Sequence, residues 1–444
     1  MWAREDAFHF AAKKKSGDFI MTCSLKLLGN GVEAHRKAGL ILRSSLDASA
    51  SYADIAVHGD GLTALQYRPA DGAETFSVPS ALKAPEKIQL ERKGSTIIAR
   101  AAARGSSLEE VGRIDIGLPG EAHAGLFLCS HNAEIVETAV FGNLRIDVPA
   151  KDGVNGYADP PRSRMEIVDA GTGERKVLFS SEENFEAPNW SLDGKYLLFN
   201  KKGYLYRYLF SDGSIVRIDT GAAVKNNNDH GISPDGKTLI VSNHDDDRKS
   251  RIYAVPISGG PARLVTPLGP SYWHGISPDG RTLVYCAERG GVYNIWGIPF
   301  GGGDEFRLTD SPSKDDGPEF SPDGTWIYFN STRSGRMKIW RMAAAGEKPG
   351  AASEQITFGE TNDWFAHLSP DGGKMAYLSY PDTVPADSHP HNERVSIRLM
   401  DLAARKSSIL VDLYGGQGTF NVPSWSPDGR FVAFVSYTYG DPEE

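Results

Sequence analysis

The chain has 444 residues, 40% hydrophobic and 24% charged, a composition that can bury a core and excludes a disordered polymer. Its length exceeds one ordinary core, so two domains are expected. A formal net charge of −9 supplies no overall basic field for nucleic acid, and no apolar run reaches the roughly 18 residues that a bilayer span requires.

Forty-eight glycines and 26 prolines imply many turns and favour short strands over long helices. Cys23, Cys129 and Cys286 lie far apart and form no CxxC pair, so neither a zinc knuckle nor a disulfide framework is expected. That usage suits a reducing cytoplasm. The opening Met1 to Asp6 leads into no apolar run of signal-peptide length, and a cytoplasmic location is expected. In the first 150 residues, alternating or β-branched runs predict strands at Phe19 to Leu27, Ala38 to Arg43, Tyr52 to Val57, Leu62 to Tyr67 and Lys87 to Arg92. Thr96 to Ala102, His123 to Cys129 and Ala139 to Ile146 complete the set. Short strands without a helical pattern predict a β-sandwich over 1–150. Residues 151–162, ending in Asp159-Pro160-Pro161-Arg162, read as a linker.

From 163 to 444 the chain repeats itself. Ser191-Leu192-Asp193-Gly194 is followed by Ser-Pro-Asp-Gly beginning at Ser233, Ser277, Ser321, Ser369 and Ser426, at intervals of 42, 44, 44, 48 and 57 residues. That period is the length of a four-stranded propeller blade. In each copy a short strand precedes the turn, and an apolar strand such as Tyr196 to Phe199, Thr282 to Tyr285 or Phe431 to Phe434 follows it. A third strand (Arg251 to Val255, Tyr293 to Trp296) and a fourth (Ala262 to Val265, Phe306 to Thr309) come next. The last copy ends after two strands, and two spare strands, Arg164 to Val168 and Arg175 to Phe179, precede the first. The expected fold is therefore all-β: an N-terminal sandwich, then six blades with the N-terminal strands entering the last one. Such closure removes open sheet edges.

The repeated aromatic or aliphatic residue, Ser-Pro-Asp-Gly and apolar run resemble the TolB-like propeller family, which includes the related propellers of prolyl oligopeptidase and dipeptidyl peptidase enzymes. The N-terminal Gly39-Leu40-Ile41-Leu42-Arg43, Gln89-Leu90-Glu91-Arg92, Gly125 to Ser130 and Phe141 to Ile146 resemble a concanavalin-like jelly roll. Together they look like a little-studied bacterial group that places such a sandwich ahead of the propeller. In that group more residues normally stand in front of the sandwich, which implies a start upstream of Met1 and leaves a periplasmic location as the alternative. The resemblance implies fold strongly. Function is another matter, because propellers host many functions.

In a propeller, the first strands line the channel and their leading loops open on one face, together with the loops between second and third strands. That face collects Asn189, Asn228, Asp229, His230, Tyr272, Trp273, His274, Asp316, Trp364, His367, Gln417 and Asn421. The outer loops add His244, Arg289, Arg333, Arg336 and the long Pro381 to Arg394, with His389 and His391. Six of the 11 histidines thus fall on one face. His230 and His274 sit three residues before their serines, and His367 two before its own. Three readings stand side by side. The imidazoles bond neighbouring blades; or His230, His274, His367, His389 and His391 hold one divalent ion (Mn, Zn or Ca) with a carboxylate such as Asp229 or Asp316; or His230 and His274 act as acid and base. The resemblance implies function for the long loop, since Ser388-His389-Pro390 stands where this group has Gly-His-Pro.

The aromatic rings Trp273 and Trp364 beside Asn189, Asp316 and Asn421 suit a sugar, and Arg289, Arg333 and Arg336 could clamp a carboxylate. No Gly-x-Ser-x-Gly hydrolase elbow, dinucleotide fingerprint or calcium loop accompanies the repeat. The expected function is therefore carbohydrate binding or carbohydrate chemistry at the propeller mouth: a metal-assisted lyase or hydrolase acting on an oligosaccharide. In that version His230 or His274 is the base, with Arg289 on a uronate. A glycan-lyase propeller family with histidine-held manganese is the analogy. The alternative is a non-enzymatic scaffold that binds a protein or peptide.

Overall fold

The computed structural model describes residues 4–29, 33–156, 158–347 and 352–441. Among them every regular element is a strand, every pairing is antiparallel, and no helix is long and apolar enough to cross a membrane. The chain divides into two compact units at Pro149 and Ala150.

The first unit is two sheets. One has six strands in the order His9–Ser16, Glu121–Cys129, Lys37–Arg43, Tyr52–His58, Thr63–Arg68, Phe76–Pro79; the other has five, in the order Ala139–Asp147, Phe19–Leu27, Lys87–Lys93, Thr96–Ala102, Glu109–Asp115. Inward residues of both, including Met21, Leu40, Ile55, Leu65, Leu90 and Ile97, form one core. Each such side chain contributes about 1.5–3 kcal/mol by burial. The strands His9–Ser16, Phe76–Pro79 and Glu109–Asp115 were not expected. All three are sheet edges whose residues are exposed or half-buried and none fully buried, so they lack the apolar alternation by which a strand is recognised. Lysines 13 to 15 on the first keep that edge hydrophilic.

The second unit opens with Ala150, whose amide donates to the Tyr414 hydroxyl at 2.8 Å. It contains five four-stranded sheets in chain order, whose inner strands are Glu186–Trp190, Asn226–Ile232, Ser271–Ile276, Asp315–Phe320 and Asn362–Leu368. A sixth sheet joins Arg175–Ser181, Arg162–Asp169 and Phe431–Thr438, so the first strand of the unit pairs with its last along eight residues from Arg162↔Thr438 to Asp169↔Phe431. This is a β-propeller. Its core is built between neighbouring sheets: Leu198 and Leu205 pack with Leu239 and Val241, Ile240 and Ile252 with Trp273 and Leu283, and Met165 and Val435 with Leu197 and Phe199.

The repeated turn explains its own sequence. In all six copies the serine hydroxyl donates to the turn aspartate at 2.5–2.9 Å and accepts the amide five residues on, as from Thr238 at 3.0 Å and Phe431 at 2.8 Å. The glycine takes the left-handed conformation, with φ between 69° and 72° in all six. The turns also touch in sequence. A methyl on Gly280 would meet the Pro234 ring, one on Gly324 the Pro278 ring, and one on Gly429 the Pro370 ring; Gly194 of the first turn faces Pro427 of the last. Leu192, standing where the other turns have proline, fills the same place against Gly236.

Candidate functional site

Each of the five inner strands breaks register with its neighbour once: between Glu186 and Asn189, Asn226 and His230, Trp273 and Gly275, Asp316 and Glu319, and Trp364 and His367. A bulge adds an unpaired residue and re-aims the side chains around it. Ala187, Gly317 and Phe365 lie inside three of these irregularities with φ of 59°, 57° and 54°. For a ring as bulky as Phe365 this is strained backbone. It is held by an amide donated to Asn330 Oδ1 at 2.8 Å. At the neighbouring bulge, a methyl on Gly317 would press on both residues.

The bulges surround a cavity of about 450 Å³ to which all six sheets or their loops contribute. Its amides are Asn200, Asn226, Asn227, Asn228, Gln417 and Asn421; its carboxyl groups Glu186, Asp229 and Asp316; its rings Tyr272, Tyr293 and Phe365; and its nitrogen bases His244, His274, His389, His391 and Lys314.

His274 is its electrostatic centre. Its Nε2 lies 3.4 Å from Asp316 Oδ1 and its ring stacks on Phe365 at 5.8 Å. Burial opposes a charge on this imidazole, but Asp229 and the bonded Asp316 outweigh burial and hold its pKa above 6.5. Burial likewise opposes the Asp316 carboxylate, yet the bond to His274 and the charges of His274 and Lys314 hold it well below the usual range. Glu186 has no such cation. Burial, with the Asp229 charge beside it, pushes it up to about 7. Burial raises Asp229 to about 6, with His274 pulling against that shift. His389 and His391 are pushed down to about 4 by burial and are neutral near pH 7.

The expected residues separate into two groups. His274, Asp316, Asn421, His389 and His391 line the cavity. His230, Trp273, Asn189, Trp364, His367, Arg289, Arg333 and Arg336 lie outside its lining. His230 and His274 share a repeat position and diverge because their bulges differ. His230 is in register opposite Val241, whereas His274 is the extra residue between Trp273↔Tyr285 and Gly275↔Val284. A one-residue difference turns a side chain to the other face. His230 is fully buried against the Ala187 backbone of the preceding sheet, and burial lowers its pKa to about 3. His367 is in register opposite Ala376 and bridges Glu319 Oε2 at 2.6 Å and the Phe420 carbonyl at 3.1 Å.

Among the described residues no group of three or more His, Cys, Asp or Glu side chains is arranged to hold a metal ion. The five-histidine ligand set is therefore not assembled: His230 is buried outside the cavity lining, His367 is bonded to Glu319 and the Phe420 carbonyl, and His389 packs edge-on against Trp364 at 4.3 Å. The arginine clamp is not assembled either. Arg289 is bidentate to Glu305 at 2.6 and 2.8 Å, Arg333 binds Asp315 at 3.0 Å and Glu347 at 2.5 Å, and Arg336 binds Glu360 at 2.8 Å. Trp273 and Trp364 are core residues, 2% and 0% exposed. Asn189 ties the first sheet to the Pro423 carbonyl at 2.5 Å.

Sequence reasoning missed Glu186, Asn200, Asn226, Asn227, Lys314, Cys286 and Tyr293 as lining residues. Glu186 had a legible signal: it stands five residues before its serine, where the second to fourth sheets carry Asn228, Tyr272 and Asp316. Lys314 gave none, because its place over the Trp364 ring at 5.1 Å and its bond to the Asp387 carbonyl at 3.0 Å depend on the long loop.

The fold and this lining define a propeller with a polar cavity to which all six sheets or their loops contribute. The TolB beta propeller domain family matches residues 269–443. The uncharacterized protein Atu1656 of Agrobacterium fabrum is 47% identical over 277 residues, 62% of this chain and 92% of that protein. A solved structure from Agrobacterium tumefaciens, provisionally named as a TolB, is 47% identical with a TM-score of 0.59, covering 62% of this chain and 98% of its own. A Protein TolB homolog of Chlorobium luteolum is 30% identical over 165 residues, 36% of this chain and 32% of that one. The chain belongs to the TolB-like β-propeller family.

Proposed function

We propose that the protein binds a neutral saccharide in the cavity at the propeller mouth. In this reading the six sheets of the second unit are six blades closed by the N-terminal strands, and the first unit is a concanavalin-like jelly roll. The strand pairing from Arg162 to Asp169 and the contact of Gly194 with Pro427 support the closure.

One observation carries the ligand class: the lining combines six side-chain amides and three carboxyl groups with three rings and no guanidinium. Amides and carboxylates match the donor and acceptor edge of a polyol, and rings match the apolar face of a pyranose. A uronate is disfavoured, because Arg289, Arg333 and Arg336 are already paired with carboxylates outside the lining. A peptide-binding scaffold is less well served by a recessed cavity of this polarity than by an open apolar groove.

The test is a glycan array followed by calorimetry on the best binder, for the wild type and for Tyr272→Ala and Asn228→Ala. Each substitution is expected to weaken binding by about tenfold, the loss of about 1.4 kcal/mol of stacking or hydrogen bonding. Unchanged affinity in both variants, or no glycan bound by the wild type, rejects the reading.

A further inference from the structure

The outer face of the six-stranded sheet in the first unit buries charged side chains. Arg43, Tyr52 and Arg68 stand in one row across three neighbouring strands, in register as Arg43↔Tyr52 and Tyr52↔Arg68. Their chain neighbours Leu42 and Ala53 point into the sandwich core, so this row is on the opposite face. All three are at most 2% exposed. Both guanidinium groups lie against the Tyr52 ring, at 5.7 and 5.1 Å from its centroid. The loop over 45–50 holds them there: Arg43 donates to the Asp47 carbonyl at 2.6 Å and Arg68 to the Ala50 carbonyl at 3.0 Å. The two arginines are thus oriented by their own sheet and loop. Asp6, from the segment ahead of the first strand, sits between them. Its carboxylate accepts from Arg68 at 2.8 and 3.0 Å and from Arg43 at 2.7 Å, and Arg4, Glu5 and Ala7 beside it are exposed. Preorganised guanidinium groups are the usual means of recognising a carboxylate, and here the chain supplies the carboxylate itself.

A second feature of the same face points to a ligand. One row further along, Asp54 and Gln66 stand in register, and Lys37 Nζ donates to Gln66 Oε1 at 2.9 Å. Asp54 is 0% exposed, and neither of its carboxylate oxygens makes a hydrogen bond of normal geometry to a described residue. A buried carboxylate left this way is costly and calls for a donor. Tyr52 and Asp54 are two residues apart on one strand, about 7 Å at the rise of an extended chain. A small molecule with a carboxylate at one end and a hydroxyl at the other spans that distance.

We propose that Arg43 and Arg68 form a binding site for a hydroxy-carboxylate, which Asp6 occupies until the ligand displaces it. The ligand carboxylate takes the place of the Asp6 carboxylate against the two guanidinium groups, and a ligand hydroxyl donates to Asp54. Two sources share this chemistry: a free hydroxy acid, and the uronate unit of an acidic saccharide. The site does not rest on the saccharide reading of the second unit. Asp6 acts as a tethered competitor, and a short tether gives an effective concentration on the order of millimolar. The wild type therefore binds such a ligand weakly, and a chain without the Asp6 carboxylate binds it more tightly.

The full chain and its D6A variant are titrated calorimetrically with gluconate, glucuronate, hexanoate and glucose. D6A is expected to bind gluconate or glucuronate about tenfold or more tightly than the wild type does, and to ignore glucose. The tighter of the two acids identifies the source. Adding R68A to D6A should weaken binding by about tenfold or more, and adding D54N should erase the preference for gluconate over hexanoate. In the wild type, excess acid should speed deuterium exchange of the Asp6 amide, which donates to the Ala48 carbonyl at 2.9 Å. That measurement needs no variant and decides the matter if D6A does not fold. No acid bound by D6A, equal affinity in D6A and the wild type, or unchanged affinity in the D6A/R68A chain overturns the proposal. So does an Asp6 amide whose exchange is the same with and without acid.

Discussion

Replacing Asp316 by asparagine isolates the charge pair at the centre of the cavity. The pair is 3.4 Å apart with side chains 6% and 12% exposed. Two unit charges at that distance attract by about 5 kcal/mol at an effective dielectric constant of about 20. Desolvation cancels part of this, and removing one partner of a buried pair usually costs about 3–5 kcal/mol. His274 can escape the cost by shedding its proton, and Asp229 remains beside it, so a loss of about 2–3 kcal/mol is expected where the imidazole is charged.

The sign follows from both partners. The folded pKa of His274 lies above 6.5, so its contribution is complete below 6.5 and is lost as pH rises through the folded value. The folded pKa of Asp316 lies below 3.8, so its contribution is complete above 3.8 and is lost as pH falls through the folded value. The cost of Asp316→Asn should therefore be greatest between 3.8 and 6.5 and should shrink at alkaline pH. Urea unfolding across pH measures the difference, and the His274 ring-proton NMR signal reports its titration directly. A cost independent of pH, or a wild-type His274 titrating at or below 6.5, would refute the reasoning.

Three further substitutions probe the frame around the site. Gly231→Ala would put a methyl 2.0 Å from Cη2 of Trp273, and overpacking of this kind should cost about 1–3 kcal/mol or more in chemical denaturation. A neutral result would mean that Trp273 is mobile and available to a ligand. Arg333→Ala strands the fully buried Asp315 carboxylate and should destabilise by about 3–5 kcal/mol near pH 7, less in acid where the carboxyl can protonate. Saccharide affinity should be unchanged if Arg333 is a frame residue. Gly418→Ala would crowd Glu186 and Tyr437, and it should weaken saccharide binding while thermal melts show the fold retained; equal affinity would show that Glu186 has other room.

The repeat was legible because every position of the turn has a local task. Serine caps, aspartate accepts, proline packs and glycine turns left-handed, so the signal lies within a few adjacent residues. Core strands were legible for a similar reason, since burial on one or both faces writes itself into the apolar pattern. Edge strands such as Glu109–Asp115 were not, because one side is solvent and the pattern is lost. Among site residues, Asp316, His274 and Asn421 were found by their place in the repeat, and Glu186 could have been found the same way. The aromatic and arginine candidates misled because residue type does not reveal whether a neighbour has already taken the side chain. Trp273 is taken by Gly231, and Arg289 by Glu305.

The amino-acid sequence alone determined the core strands, the repeated turns and the chain order of the sheets in the second unit, since those rest on contacts within a few residues or on a periodic burial pattern. Only the tertiary structure decided which of two identical His-Gly-Ile-Ser-Pro-Asp-Gly segments presents its imidazole to the cavity. That choice depends on where each bulge falls against the partner strand, and the partner's register is set by long-range pairing that the repeated segment does not contain.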